Sequence, residues 1–139
     1  MRIADRLLGA LDRVSPPATV QAHCDLPCGV YDPAQARIEA ESDKNCITKF
    51  NDSNDDVFKT RATFIKEERA DLVKHHLWVL WTDYFKPEHL QKYPQLHDIF
   101  WKATKTAGEA KKTNDPAVAD DLLAQIKEID TIFWDTKKG

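Results

Sequence analysis

The sequence predicts an all-α protein built as an antiparallel, up-down-up-down four-helix bundle, and three observations carry that reading. Apolar residues recur at helical spacing over most of residues 33–136, helix-start signals stand where the runs begin, and no four residues alternate as a strand would. At 139 residues and 42% hydrophobic content the chain can hold one self-sufficient core, while its 4 Gly leave little material for hairpins. Short or moderate connections between the runs favour antiparallel neighbours.

Each helix has its own justification. Asp32 ahead of Pro33, with Gln35 three residues after the aspartate, gives an N-cap, a proline at the first helical position and a capping-box partner, so helix one is predicted over 33–50. The polar loop 51–56 ends in aspartates that cap the next helix. There Val57, Phe58, Ala62, Ile65, Leu72, Val73, His76, Leu77, Leu80 and Tyr84 recur at helical spacing, which predicts a long helix two ending near Phe85. Pro87 and Pro94 bracket a broken connection. Leu96, Ile99, Phe100 and Ala103 then give a weaker third helix reaching about Lys112. Asp115-Pro116 repeats the cap-plus-proline device, and Val118, Leu122, Ile126, Ile129 and Phe133 form the clearest stripe, predicting helix four over 116–136.

Composition narrows the function classes. Lys and Arg number 20 against 23 Asp and Glu, a formal net charge of −3, so the whole chain offers no field for nucleic acid or an anionic membrane. Any anion must be drawn by a local patch. No apolar run approaches the ~18 residues of a membrane span. Three cysteines, an odd number with no secretory signal ahead of them, do not make a disulfide framework; reduced thiols in a cytoplasmic setting, and metal binding, are the expectation.

Residues 1–22 stand apart. Ile3, Leu7, Leu8, Leu11 and Val14 fall on one side of a marginal helix, which Ser15-Pro16-Pro17 breaks, leaving a polar stretch 18–22 open to a protease. Asp5 and Asp12 flank the apolar run and make it too charged for a secretory signal. A removable pro-segment and a frayed terminal helix are both compatible with this composition.

Residues 23–33, HCDLPCGVYDP, differ in kind from the rest of the chain. Thiolates of Cys24 and Cys28, four residues apart on a loop, can reach one metal, and His23 offers a nitrogen beside them. Such a set suits a soft or borderline ion over magnesium or calcium. On pattern alone the pair is equally a zinc half-site, a redox-active dithiol or two ordinary cysteines. Cys46, His75, His76, His89 and His97 supply no second ligand pair at a knuckle-like spacing, and a thioredoxin-type motif would need two intervening residues and a βαβ setting.

The stretch HCDLPCGVYDPAQARIEAES, residues 23–42, resembles the start of the mature nickel-containing superoxide dismutases, in which HCDLPCGVYDP is the nickel-binding hook. The resemblance continues through IKEERA (65–70), KHHL (74–77), WTDYFKP (81–87), KYP (92–94) and IFWDTKK (132–138), and so covers residues 23–139. It implies a pro-segment over 1–22, a hook over 23–32 and a four-helix bundle over 33–139, assembled as a homohexamer. It also implies cleavage by a maturation protease between Ala22 and His23, because the new α-amine is itself a ligand.

The implied ligand set is the His23 amine, the Cys24 amide nitrogen and the Cys24 and Cys28 thiolates in a square plane, with the His23 imidazole axial in the oxidised state. Square N,S sets suit divalent nickel, and anionic thiolates bring the trivalent state within reach. The implied reaction is disproportionation of superoxide to dioxygen and hydrogen peroxide, with one nickel per subunit cycling between Ni(II) and Ni(III). Pro27 shapes the hook, through a cis bond after Leu26. Tyr31 holds water or the incoming anion, and Asp25 serves hook structure and proton supply. Glu39 and Arg69 match the pair that steadies the axial imidazole, the kind of support that fixes a ligand histidine; without the resemblance they read as an ordinary ion pair. Residues 23–139 are more acidic than the full chain, so steering of superoxide must be local, and Lys86 at the end of helix two is the candidate.

Other residues carry plainer expectations. His75 and His76 point about 100° apart on a helix and cannot easily chelate one ion, so one is expected in the core and one in solvent. Cys46 reads as a small, partly buried apolar residue. Trp78, Trp81, Trp101 and Trp134 read as packing or interface residues. Two competing functions use the same hook: a non-catalytic zinc- or nickel-binding bundle, and a thiol protein cycling a Cys24–Cys28 disulfide.

Overall fold

The computed structural model describes residues 29–138, and those residues contain helices and no strand. Helix α1 spans Ala34–Asp52 and α2 spans Asp56–Val79, running on into a π-helical turn at Leu80–Tyr84. A short α3 at Pro87–Lys92 is followed by α4 at Leu96–Ala110 and α5 at Pro116–Lys137. The four long helices, α1, α2, α4 and α5, correspond to the four that the sequence predicts.

Helix starts follow the local chemistry. Asp32 Oδ1 accepts from the Ala34 N–H at 2.8 Å, Asp55 Oδ1 from Val57 at 3.0 Å and Asp115 Oδ1 from Ala117 at 2.9 Å, each satisfying a first-turn donor that has no partner inside the helix. The expected capping box at Gln35 does not close through its side chain. Its backbone N–H meets the Asp32 carbonyl instead, at 3.4 Å.

The long helices form a ring in which α1 packs on α2 and α5, and α4 packs on the same two. Cross-helix bonds give their directions. Lys44 meets Asp120 at 2.6 Å, while Asn51, farther along α1, meets the Asn114 carbonyl just ahead of α5 at 2.9 Å. Lys66 meets the Thr113 carbonyl and Asp71 meets Lys111, so α2 advances as its partner retreats. Tyr93, ahead of α4, donates to Asp135 near the end of α5. These pairs run antiparallel. One core cluster draws on every long helix, with Ala40, Val73, Leu77, Phe100, Ala107, Leu122, Ile129 and Phe133 among its members.

Several details differ from the sequence reading. Helix two does not stay α to Phe85: from Leu80 its bonds widen, and the Phe85 N–H reaches the Leu80 carbonyl at 3.0 Å, an i→i+5 bond. Lys86 is extended, as the residue ahead of a proline tends to be, and the supposedly broken connection holds α3. The third helix stops at Ala110 rather than Lys112. Val57, Phe58 and Ile65 are exposed, so the buried face of the early part of α2 is Ala62, Lys66 and Ala70. His75 and His76 are both half-buried and meet edge to face, with centroids 5.2 Å apart. Cys46 is partly buried as expected, and burial, then the nearby Asp43 charge, push its thiol pKa up.

Candidate active site

The hook ligands His23, Cys24 and Cys28, together with Asp25, Pro27 and the Leu26–Pro27 bond, lie outside the described residues. The chain enters the described region at Gly29, whose φ of 71° is left-handed. A Cβ there would meet nothing within 4 Å, so glycine serves conformation rather than space.

From that turn the chain passes a cleft of about 360 Å³ lined by Gly29, Tyr31, Asp83, Tyr84, Lys86, His89 and Lys137. Three features of the fold build it. The Asp32 cap starts α1 immediately after Tyr31 and sets that half-buried ring beside Tyr84, with centroids 5.7 Å apart. The π turn and the extended Lys86 bring Asp83, Tyr84 and Lys86 to the wall, and the end of α5 brings Lys137.

Tyr84 is the best-anchored group here. Its ring packs on Phe133 at 4.4 Å between centroids and stacks with His89 at 5.7 Å and 19°. Its hydroxyl lies 2.6 Å from Thr136 Oγ1, which itself donates to the Phe133 carbonyl at 2.6 Å. A hydroxyl has one proton, so with the threonine proton on the carbonyl, Tyr84 is the donor. His89 Nδ1 accepts from the Lys86 backbone N–H at 3.1 Å, which leaves the proton of a neutral ring on Nε2.

Of the predicted residues, Tyr31 and Lys86 come together at this cleft. Glu39 and Arg69 come together elsewhere: Arg69 Nη1 donates to Glu39 Oε2 at 3.0 Å across α1 and α2, and Arg69 Nη2 is 3.3 Å from Glu68. Arg69 lies roughly 20 Å along the helix from Tyr84 at about 1.5 Å per residue, so the two groups do not share one pocket. Among the described residues no three His, Cys, Asp or Glu side chains are placed to hold a metal ion.

The family model for nickel-containing superoxide dismutase matches residues 18–137. The chain belongs to the nickel-containing superoxide dismutase family. Curated relatives named superoxide dismutase [Ni] from Streptomyces coelicolor and Streptomyces seoulensis are 57% and 56% identical over 125 residues, which is 90% of this chain and 95% of each relative. A native nickel superoxide dismutase structure is 57% identical with a TM-score of 0.82, covering 84% of this chain and 100% of its own. The structure of an oxidised-state Ni-containing superoxide dismutase aligns equally well.

Membership makes this chain an oxidoreductase with a nickel cofactor, and the zinc-carrier and dithiol readings find no support. The cleft lies beside Gly29, where the described residues begin. Sequence reasoning missed Asp83, Tyr84, His89 and Lys137 as parts of that cleft. The helical period makes Tyr84 a packing position, and of the cleft lining only Tyr31, through the motif it belongs to, and Lys86, through its place ahead of Pro87, carry a sequence signal.

Proposed function

We propose that residues 23–139 are the working superoxide dismutase, a bundle with its hook, and that 1–22 are a pro-segment removed by a protease between Ala22 and His23. Solved relatives whose whole chains cover 84% of this one support that division, since 23–139 is the same share of the sequence. The observation that carries the reading is the path of the chain. At Gly29, the residue that follows Cys28 in the sequence, the chain turns into a partly cationic cleft walled by Tyr31 and Lys86, which supports a donor set held next to that cleft.

The donor set fits nickel. The amine and imidazole of His23, the Cys24 amide nitrogen and the Cys24 and Cys28 thiolates are the nitrogen and soft sulfur donors that a square nickel site takes. Nickel bound there supplies the one-electron couple between Ni(II) and Ni(III) by which two superoxide anions and two protons become dioxygen and hydrogen peroxide. Tyr31 holds water or the anion by its hydroxyl, Lys86 draws the anion in, Pro27 shapes the hook and Asp25 serves hook structure and proton supply.

Glu39 and Arg69 steady the His23 imidazole. From Gly29 back to His23 is at most about 20 Å of fully extended chain, and a hook folded round a metal is far shorter. In the homohexamer the pair is therefore best placed for a neighbouring subunit's hook. Half-exposed Trp78, Trp101 and Trp134, with exposed Ile38 and Phe64, support subunit contacts on several faces. A cytoplasmic location keeps the thiols reduced before nickel loads, and no described helix is long and apolar enough to cross a membrane.

The test compares three preparations: nickel-loaded residues 23–139, the uncut chain, and the trimmed chain with Cys28→Ser. Fast superoxide decay confined to the first supports both hook and cleavage. Equal inactivity in all three would remove the dismutase reading.

A further inference from the structure

Among the described residues, five lysines are paired with carboxylates. Lys44, Lys92, Lys102, Lys111 and Lys112 each lie within 4.0 Å of an aspartate or glutamate oxygen. The two lysines of the cleft differ: among the described residues neither Lys86 nor Lys137 has a carboxylate within that range. Lys137 is held another way, with Nζ 4.9 Å from the centroid of the Tyr84 ring and 5.4 Å from that of Phe133. An aromatic face fixes an ammonium group without cancelling its charge.

The neighbouring groups reinforce this. Asp83 is the one carboxylate lining the cleft, and its Oδ1 lies 2.9 Å from the Thr82 hydroxyl, which also reaches the Trp78 carbonyl at 2.8 Å. Two ammonium groups therefore stand against one carboxylate in a protein whose net charge is −3. The sign of the local field is opposite to that of the whole. A lysine ending a helix is often only a partner for the helix dipole. Lys137 ends α5, but its side chain lies over the Tyr84 ring and lines the pocket next to Gly29.

We infer that Lys137 is a second anion-attracting residue of the cleft, placed on the wall formed by α5 and acting together with Lys86 to bring a small monoanion to the hook. The inference rests on the proposed reading for the identity of that anion, superoxide. A fixed cation at a pocket mouth raises the local concentration of an anion and its rate of entry, an effect that salt screens.

Nickel-loaded residues 23–139 are compared as wild type, Lys137→Gln, Lys137→Arg and Lys138→Gln, the last removing the adjacent charge, which does not line the cleft. Superoxide decay is followed from about 10 mM to about 200 mM salt. Lys137→Gln is expected to lose about threefold at low salt and to converge on wild type at high salt, with Lys137→Arg restoring the rate and Lys138→Gln close to wild type. A second readout needs no nickel: azide, a small monoanion, is titrated into the full metal-free chain while the Lys86 and His89 backbone amides are followed by NMR. Their shifts are expected in wild type and lost in Lys137→Gln. Equal effects of the two glutamine variants, or a Lys137→Gln loss that ignores salt, would overturn the inference. If the loaded wild type fails to consume superoxide, the dismutase reading fails on its own and the azide titration still decides the role of Lys137.

Discussion

Arg69 on α2 donates from Nη1 to Glu39 Oε2 on α1 at 3.0 Å, and both side chains are largely withdrawn from solvent, at 29% and 16% exposure. Arg69 Nε is buried with no partner among the described residues. The pair is thus neither a loose surface bridge nor a fully desolvated one, and its coupling in a double-mutant cycle of Glu39→Gln and Arg69→Met should be about 1 kcal/mol in unfolding free energy. If it also steadies the hook imidazole, Glu39→Gln should slow superoxide decay by about tenfold while nickel-free stability changes little. Decay rates and urea midpoints measured on the same variants separate the two effects.

Local chemistry made most of this architecture readable in advance. Asp32, Asp55 and Asp115 cap as expected because a cap needs only a side-chain oxygen two residues ahead of a free N–H. The hook was readable as a contiguous motif. The cleft was not, because Tyr84 and Thr136 meet across 52 positions and nothing at either one announces the other. The buried face of α4 includes Ala107 and Ala110, whose methyl groups make too faint a stripe to mark where a helix packs. Asp43 and Lys66 are the hardest cases: ionisable residues belong in solvent on composition, and only the packing of α1 on α2 withdraws them.

Asp43 is fully buried, and neither carboxyl oxygen has a hydrogen-bond partner among the described residues. Burial raises its pKa from 3.8 to about 7, against a smaller opposing pull from Lys66. The folded state therefore holds this proton more tightly than the unfolded chain. This group's contribution to stability is full below about pH 4 and is lost as pH rises toward 7. Asp43→Asn keeps the shape without the charge, so it should match wild type near pH 4 and exceed it at pH 8 by about 2–4 kcal/mol. Urea unfolding of the metal-free chain at the two pH values measures the gap; a difference independent of pH would contradict the assignment.

Gly29→Ala tests whether the left-handed turn matters to the hook. Nothing stands within 4 Å of the added methyl, so its cost is conformational, about 1–2 kcal/mol for holding φ at 71°. The turn lies ahead of α1, and the chain can relieve that strain by re-aiming the segment before it. The loss should then appear as nickel affinity weakened by about tenfold, with the bundle's unfolding midpoint nearly unchanged. Gly29→Asn, which tolerates this conformation better, should recover part of the affinity in a competitive chelator titration.

Thr136 links the cleft to the end of α5. Its hydroxyl donates to the Phe133 carbonyl and accepts from Tyr84, so Thr136→Val leaves a part-buried phenol proton without its acceptor at nearly constant volume. An unsatisfied group of this kind costs about 1–3 kcal/mol, more than the net worth of the bond itself. The same substitution made in a Tyr84→Phe background strands no donor and should cost distinctly less, while Thr136→Ser keeps the acceptor and should stay near wild type. Denaturant unfolding of the four proteins closes a cycle whose coupling measures the link. Equal costs of Thr136→Val in both backgrounds would show that Tyr84 is positioned by its packing on Phe133 and His89 alone, and that the end of α5 sets only the place of Lys137.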